Sequence, residues 1–106
     1  RDFCYVDDVV NAIIQSLIKK KTLGEIFNVG SGKPISVKTM ISKISNIIKK
    51  GNPQFNKIPF RKNEAMDVKI NIKKLKKIGW KPRPDLKKEL IKTIDYFKNE
   101  IFNKNL

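Results

Sequence analysis

Arg1, Arg61 and Arg83 are the only arginines in a chain of 106 residues whose other basic side chains are all lysine. A guanidinium is a planar fork of N–H donors that can take a phosphate or carboxylate with two bonds at once, which an ammonium cannot do. Where lysine serves for charge in general, a retained arginine marks a place that needs the fork. Gripping an oxyanion is therefore the first chemistry to ask of these three positions. Other chemical groups are sparse. The chain has no histidine, which removes the usual general base and the commonest metal ligand. Its single cysteine, Cys4, can neither close an internal disulfide nor build a metal cluster, and reads as a small residue in a half-buried strand. Asp7 and Asp8 are too close together to act as an opposed acid–base pair, and a helix cap accounts for them.

The turn Gly30-Ser31-Gly32-Lys33-Pro34 invites a test as a phosphate loop, and fails it. A dinucleotide fingerprint needs glycine at position 35, which is Ile35. A P-loop needs glycine at position 27 and a hydroxyl residue after Lys33, but these are Phe27 and Pro34.

The formal net charge of +14 raises nucleic-acid binding. Against it, the lysines are spread along every helical stretch, and aromatics are not interleaved with them as a stacking platform requires. No specific nucleic-acid partner is expected. A basic module for nucleic acid or an acidic partner stands as the alternative function. No apolar run is long enough to cross a bilayer and no signal peptide is visible, so cytoplasmic residence is expected.

These residues must be positioned by short elements. The spacing predicts a strand through Phe3 and Tyr5 that runs into a helix from about Asp8 to Lys20, capped by Asp7 or Asp8. That helix carries Val9, Val10, Ile13, Ile14, Leu17 and Ile18 as one apolar stripe, and Gly24 closes it. Glu25–Val29 reads as a second short strand, and Lys57–Phe60 as an extended sheet edge. Ser36 opens a helix with Val37, Met40, Ile41, Ile44, Ile47 and Ile48 on one side. Asn71 caps a short helix that buries Ile72, Leu75 and Ile78 and ends at Gly79. Trp80, Pro82 and Pro84 form a stiff corner, with Arg83 in a corner or surface role. Asp85 then caps a last helix through Leu86, Leu90, Ile94, Phe97 and Ile101, and the polar tail after Phe102 is expected to fray. No linker divides the chain, which reads as one domain over residues 1–106.

Four separated stretches, in order, resemble the extended short-chain dehydrogenase/reductase family of NAD-dependent nucleotide-sugar epimerases and dehydratases. They are Arg1-Asp2-Phe3-x-Tyr5-Val6-x-Asp8, then Phe27-Asn28-x-Gly30-Ser31-Gly32, then Arg61-x-x-Glu64 with Asn71 in the place of a capping Asp, then Ile78-Gly79-Trp80-x-Pro82. The resemblance covers nearly the whole chain. Asn63 stands where the family has glycine, so the loop after Arg61 is expected to differ locally.

The resemblance implies an α/β fold, the C-terminal part of a Rossmann-type enzyme, with short strands and four or so amphipathic helices. In the family the glycine turn is mainly structural, and Asn28 is expected to tie down its backbone. Arg1 and Arg61 are the family's two grips on the substrate diphosphate, and Glu64 is the acid beside the nucleoside ribose. The partner implied is a nucleotide-diphosphate sugar, and the cofactor of the intact enzyme is NAD or NADP. This segment is expected to bind neither cofactor, because it lacks the glycine fingerprint and the catalytic Tyr-x-x-x-Lys. Tyr5 is followed at that spacing by Val9, and Tyr96 by Glu100. A chain that begins at Arg1 reads as a fragment that is not catalytic alone. An N-terminal cofactor domain is expected upstream, and the apolar face left without it is expected to make homo-oligomers.

Overall fold

Trp80 and Leu75 are the largest fully buried side chains, and both belong to a cluster with Ala12, Ile72 and Ile78. The computed structural model describes residues 1–83 and 85–104, without the side chain of Phe102. Pro84 of the expected corner and residues 105–106 of the expected tail lie outside them. The chain divides into two compact units, one of residues 1–36 and 61–83, the other built from residues 37–60 and 85–104.

The first unit holds α1 (Val6–Ile18), a 3₁₀ turn (Lys20–Thr22) and the short α3 (Lys73–Lys77); the intervening helix of the chain, α2 (Val37–Ile48), belongs to the second. The cap position of α3 is Ile72 and not Asn71 as the sequence predicts; Asn71, one residue earlier, accepts with its Oδ1 from the Lys73 amide at 3.1 Å. Ile72, Leu75 and Ile78 are buried, as predicted. The α1 helix ends in a polar lock. The Thr22 hydroxyl donates to the Ser16 and Lys19 carbonyls, and the Lys19 ammonium donates to the Ile78 carbonyl. Trp80 closes the cluster over α1, its indole N–H donating to the Asp8 carbonyl at 3.0 Å.

Two expectations are overturned here. The α/β class with short strands gives way to a helical architecture, with no strand among the described residues. Residues 1–5, 25–29 and 57–60 have no partner strand to build a ladder with, and isolated strand pattern cannot satisfy backbone groups by itself. Arg1 and Ile35 alone exchange a pair of backbone bonds, at 2.8 and 2.9 Å. Second, α1 begins at Val6 with Tyr5 at its cap position, so Asp7 and Asp8 lie inside the first turn. They favour the positive end of the helix without capping it. The apolar stripe of α1 is largely uncovered, in keeping with the apolar face expected to lie open. Ala12 (2% exposed) and Asp8 (5%) face inward, whereas Val6, Val10, Ile13, Ile14, Leu17 and Ile18 are exposed, Leu17 by 79%.

In the second unit α2 packs against α4 (Leu86–Lys104), with Met40 and Ile94 buried. Asp85 caps α4 as expected, its Oδ1 accepting from the Lys88 amide at 3.0 Å. The helix runs on past Phe102 to Lys104, with Glu100 and Lys104 one turn apart and paired at 3.8 Å, so its end is longer than the polar composition suggests. No helix among the described residues is long and apolar enough to cross a membrane.

Trp80→Ala is expected to destabilise the first unit by about 3–5 kcal/mol through the cavity it opens. Trp80→Phe keeps most of the volume and loses the bond to Asp8, for about 1 kcal/mol. Urea titration followed by circular dichroism separates the two, and a Trp80→Phe variant as stable as the native chain would remove the indole bond from the account.

Candidate functional site

Asp2 organises the surroundings of Arg1. Its Oδ1 accepts from the Ser31 amide and hydroxyl, both at 2.6 Å, and its Oδ2 accepts from the amides of Gly32 at 3.0 Å and Ile70 at 3.1 Å. One carboxylate thus ties together the start of the chain, the glycine turn and the 69–71 segment. Burial alone would push this carboxyl up. The Ser31 hydroxyl and the Ile70, Ser31 and Gly32 amides outweigh burial and hold it below its ordinary value of 3.8. The turn fits tightly against its neighbour. A Cβ on Gly30 would meet the Ile70 side chain at 2.7 Å, and Gly32 sits at φ +69°, where its Cβ would lie 2.9 Å from Ile72. Asn28, expected to tie this turn, is exposed and makes no side-chain hydrogen bond among the described residues. Asp2 makes that tie instead.

This arrangement also settles the chemistry of the turn. The amides of Ser31 and Gly32 are occupied by a carboxylate, whose charge would repel a phosphate placed there. The turn therefore does not fit the pyrophosphate of a dinucleotide.

The Arg1 side chain reaches the 64–65 segment. Its Nη1 donates to the Ala65 carbonyl at 2.6 Å and its Nη2 pairs with Glu64 Oε1. Glu64 Oε2 accepts from the Arg61 amide at 3.4 Å, and the Glu64 amide donates to the Arg61 carbonyl at 3.2 Å. Asn63 makes that reversal possible by adopting φ +64°, a left-handed conformation that asparagine tolerates and glycine favours. The loop expected to differ for want of glycine thus takes a glycine-like turn. The structure brings Arg1, Glu64 and the backbone of Arg61 together. The Arg61 side chain is exposed and has no carboxylate partner among the described residues.

Arg83 is used differently. Its amide donates to Asp8 Oδ2 at 2.9 Å, its Nη1 pairs with Asp7 at 3.1 Å and its Nε with Asp8 at 3.4 Å. The guanidinium also lies 5.8 Å from the centre of the Tyr5 ring. This is the corner role expected of it, and it consumes both aspartates that the sequence suggests as caps. Their i and i+1 spacing ahead of an arginine corner gave no signal of that pairing. Cys4 is half-buried, and burial, with smaller contributions from the Asp8 and Asp2 charges, pushes its thiol up, so it stays protonated at neutral pH.

The chain is 38% identical over 102 residues to CDP-abequose synthase of Salmonella typhimurium, a match covering 89% of this chain and 34% of that protein. It is 36% identical over 100 residues to a putative UDP-glucose 4-epimerase of Methanocaldococcus jannaschii, covering 93% of this chain and 31% of the other. The chain belongs to the nucleotide-sugar epimerase/dehydratase family. A dTDP-D-glucose 4,6-dehydratase of Bos taurus adds 28% identity over 109 residues, 97% of this chain and 30% of its own length. The chain thus spans about a third of the length of these curated relatives. No family model matches it, and no solved structure gives a significant match.

Because the Asp2 carboxyl is held below its unfolded value, its stabilisation is full above the ordinary aspartate range and is lost as pH falls through the folded value. Asp2→Asn is expected to cost about 1–3 kcal/mol at pH 7. The gap to the native chain should close on acidification to below the ordinary aspartate range, as the native carboxyl itself takes a proton. Urea midpoints measured across that range check this, and a gap independent of pH would contradict the ionised clasp.

Proposed function

We propose that this chain forms the nucleotide-sugar-binding portion of an NAD(P)-dependent epimerase or dehydratase, with Arg1 and Arg61 holding the substrate diphosphate. The observation that carries the reading is the Arg1–Glu64–Arg61 constellation, two arginines far apart in sequence joined through one carboxylate. The fork of Arg1 is oriented by Glu64 and the Ala65 carbonyl, and its remaining N–H groups can turn to phosphate oxygens. Arg61, with no carboxylate of its own, supplies a second charge. Glu64 then has two duties, holding Arg1 and standing where a ribose hydroxyl could donate to it. The names of the relatives refer to CDP-, UDP- and dTDP-linked sugars, which supports a nucleoside diphosphate as the shared part of the ligand.

Hydride transfer is assigned to residues beyond this sequence. A nicotinamide cofactor would supply transient oxidation of the sugar, and the residues here would orient the sugar by its diphosphate. The exposed row on α1, from Val6 to Ile18, is the surface we assign to the cofactor-binding domain carried in the rest of the relatives' length. Without that domain, copies of this chain cover the row by pairing with each other.

Titration calorimetry with CDP, UDP and dTDP tests the ligand assignment. One of the three is expected to bind, and Arg61→Gln to weaken it about tenfold, the loss of one charge-assisted contact. An unchanged affinity would remove Arg61 from the site. Sedimentation is expected to show concentration-dependent association that Leu17→Lys suppresses; a monodisperse monomer at high concentration would contradict the role given to α1.

A further inference from the structure

The Asp2 clasp has a second effect, on the far side of the glycine turn. By fixing Ser31, Gly32 and Ile70 to one carboxylate it brings the residues just beyond them, Lys33 and Lys69, to one concavity of about 430 Å³. Lys73 and Lys76 line it too, one helical turn apart on α3, together with Asn71 and Gly32. No acidic side chain is among the lining residues, and none of the four ammonium groups has a carboxylate partner among the described residues. Elsewhere in this unit Arg1, Lys74 and Arg83 are each paired with Asp or Glu. Ser31, Ile70 and Ile72 complete the lining, and the Asp2 carboxylate, its charge spread over four donors, is bonded to Ser31, Gly32 and Ile70.

We infer that the Lys33–Lys69–Lys73–Lys76 concavity is a binding site for a small, multiply charged phosphate anion. Four lysines lining one concavity put like charges near one another, and a multivalent anion relieves their repulsion with every contact. Ammonium groups on flexible stems suit a chain of phosphates, which they hold as point charges rather than by a fixed fork. The volume is within the range of small-molecule sites and matches a short polyphosphate. A nucleic-acid duplex would need the basic surface to continue beyond the concavity. This site stands apart from the proposed substrate grip, because Arg1, Arg61 and Glu64 are not among its lining residues.

The probe is inorganic tripolyphosphate, titrated into the full chain while the amide resonances of Gly32 and Asn71 are followed by NMR. Saturable shifts are expected at these amides. The triple variant Lys69→Gln/Lys73→Gln/Lys76→Gln is expected to weaken the affinity read from them at least about tenfold. A second triple variant, Lys20→Gln/Lys21→Gln/Lys81→Gln, removes the same charge elsewhere and is expected to stay within about threefold of the native chain. All six positions are exposed, so thermal melts of both variants should match the native chain. Equal weakening in the two variants would reduce the effect to net charge and overturn the site, as would a failure of the Gly32 and Asn71 amides to shift.

Discussion

A single ionised carboxylate sets the geometry of the first unit. Asp2 accepts four hydrogen bonds from three chain positions that lie about thirty to seventy residues away from it, and no other side chain described here joins so many segments. Bonds to a charged acceptor are among the stronger ones, and a partly buried amide left without an acceptor is costly. The glycine turn accepts this clasp because Gly30 and Gly32 leave room for Ile70 and Ile72 to close on it. Without the clasp the 69–72 segment would lose its seat, and with it the helical turn that places Leu75 and Trp80 in the core.

The distribution of charge follows from that scaffold. Asp7 and Asp8 neutralise Arg83 at the corner after Trp80, and Glu25 engages Lys74, which also lies over the Phe27 ring. Glu64 holds Arg1 but, through the left-handed turn at Asn63, meets only the backbone of Arg61. Acids are few in this chain, ten against 24 basic residues, and many cations have no carboxylate partner among the described residues, Arg61 and the lysines of the Lys33 concavity among them.

Much of the helical framework was legible in the sequence, since a 3.6-residue apolar period and a cap are local properties. Asp85 begins its helix as its side-chain chemistry dictates, and Ile72, Leu75 and Ile78 are core as their spacing predicts, whereas Trp80, read as part of a corner, proves to be core as well. The strands were not legible as what they are. An apolar alternation records only that a segment could pair, and here its partner is absent from the described residues. The period of α1 was plain while its orientation was not, because periodicity locates a stripe without saying what covers it. Ala12 and Asp8 facing inward become intelligible only once Trp80 is seen to bond the Asp8 carbonyl. At the candidate site, Arg1, Arg61 and Glu64 emerged from motif order, whereas the work of Asp2 was invisible. Three of its four donors are backbone amides, which leave no mark in a sequence.

The central claim is that the Asp2 scaffold presents Arg1 and Arg61 to one diphosphate. A crystal structure of the chain with a bound nucleoside diphosphate tests it most directly. The account predicts the diphosphate between the two guanidinium groups, Glu64 still joined to Arg1, and Asp2 still clasping Ser31, Gly32 and Ile70. Guanidinium groups that diverge, or a diphosphate seated away from both, would contradict it.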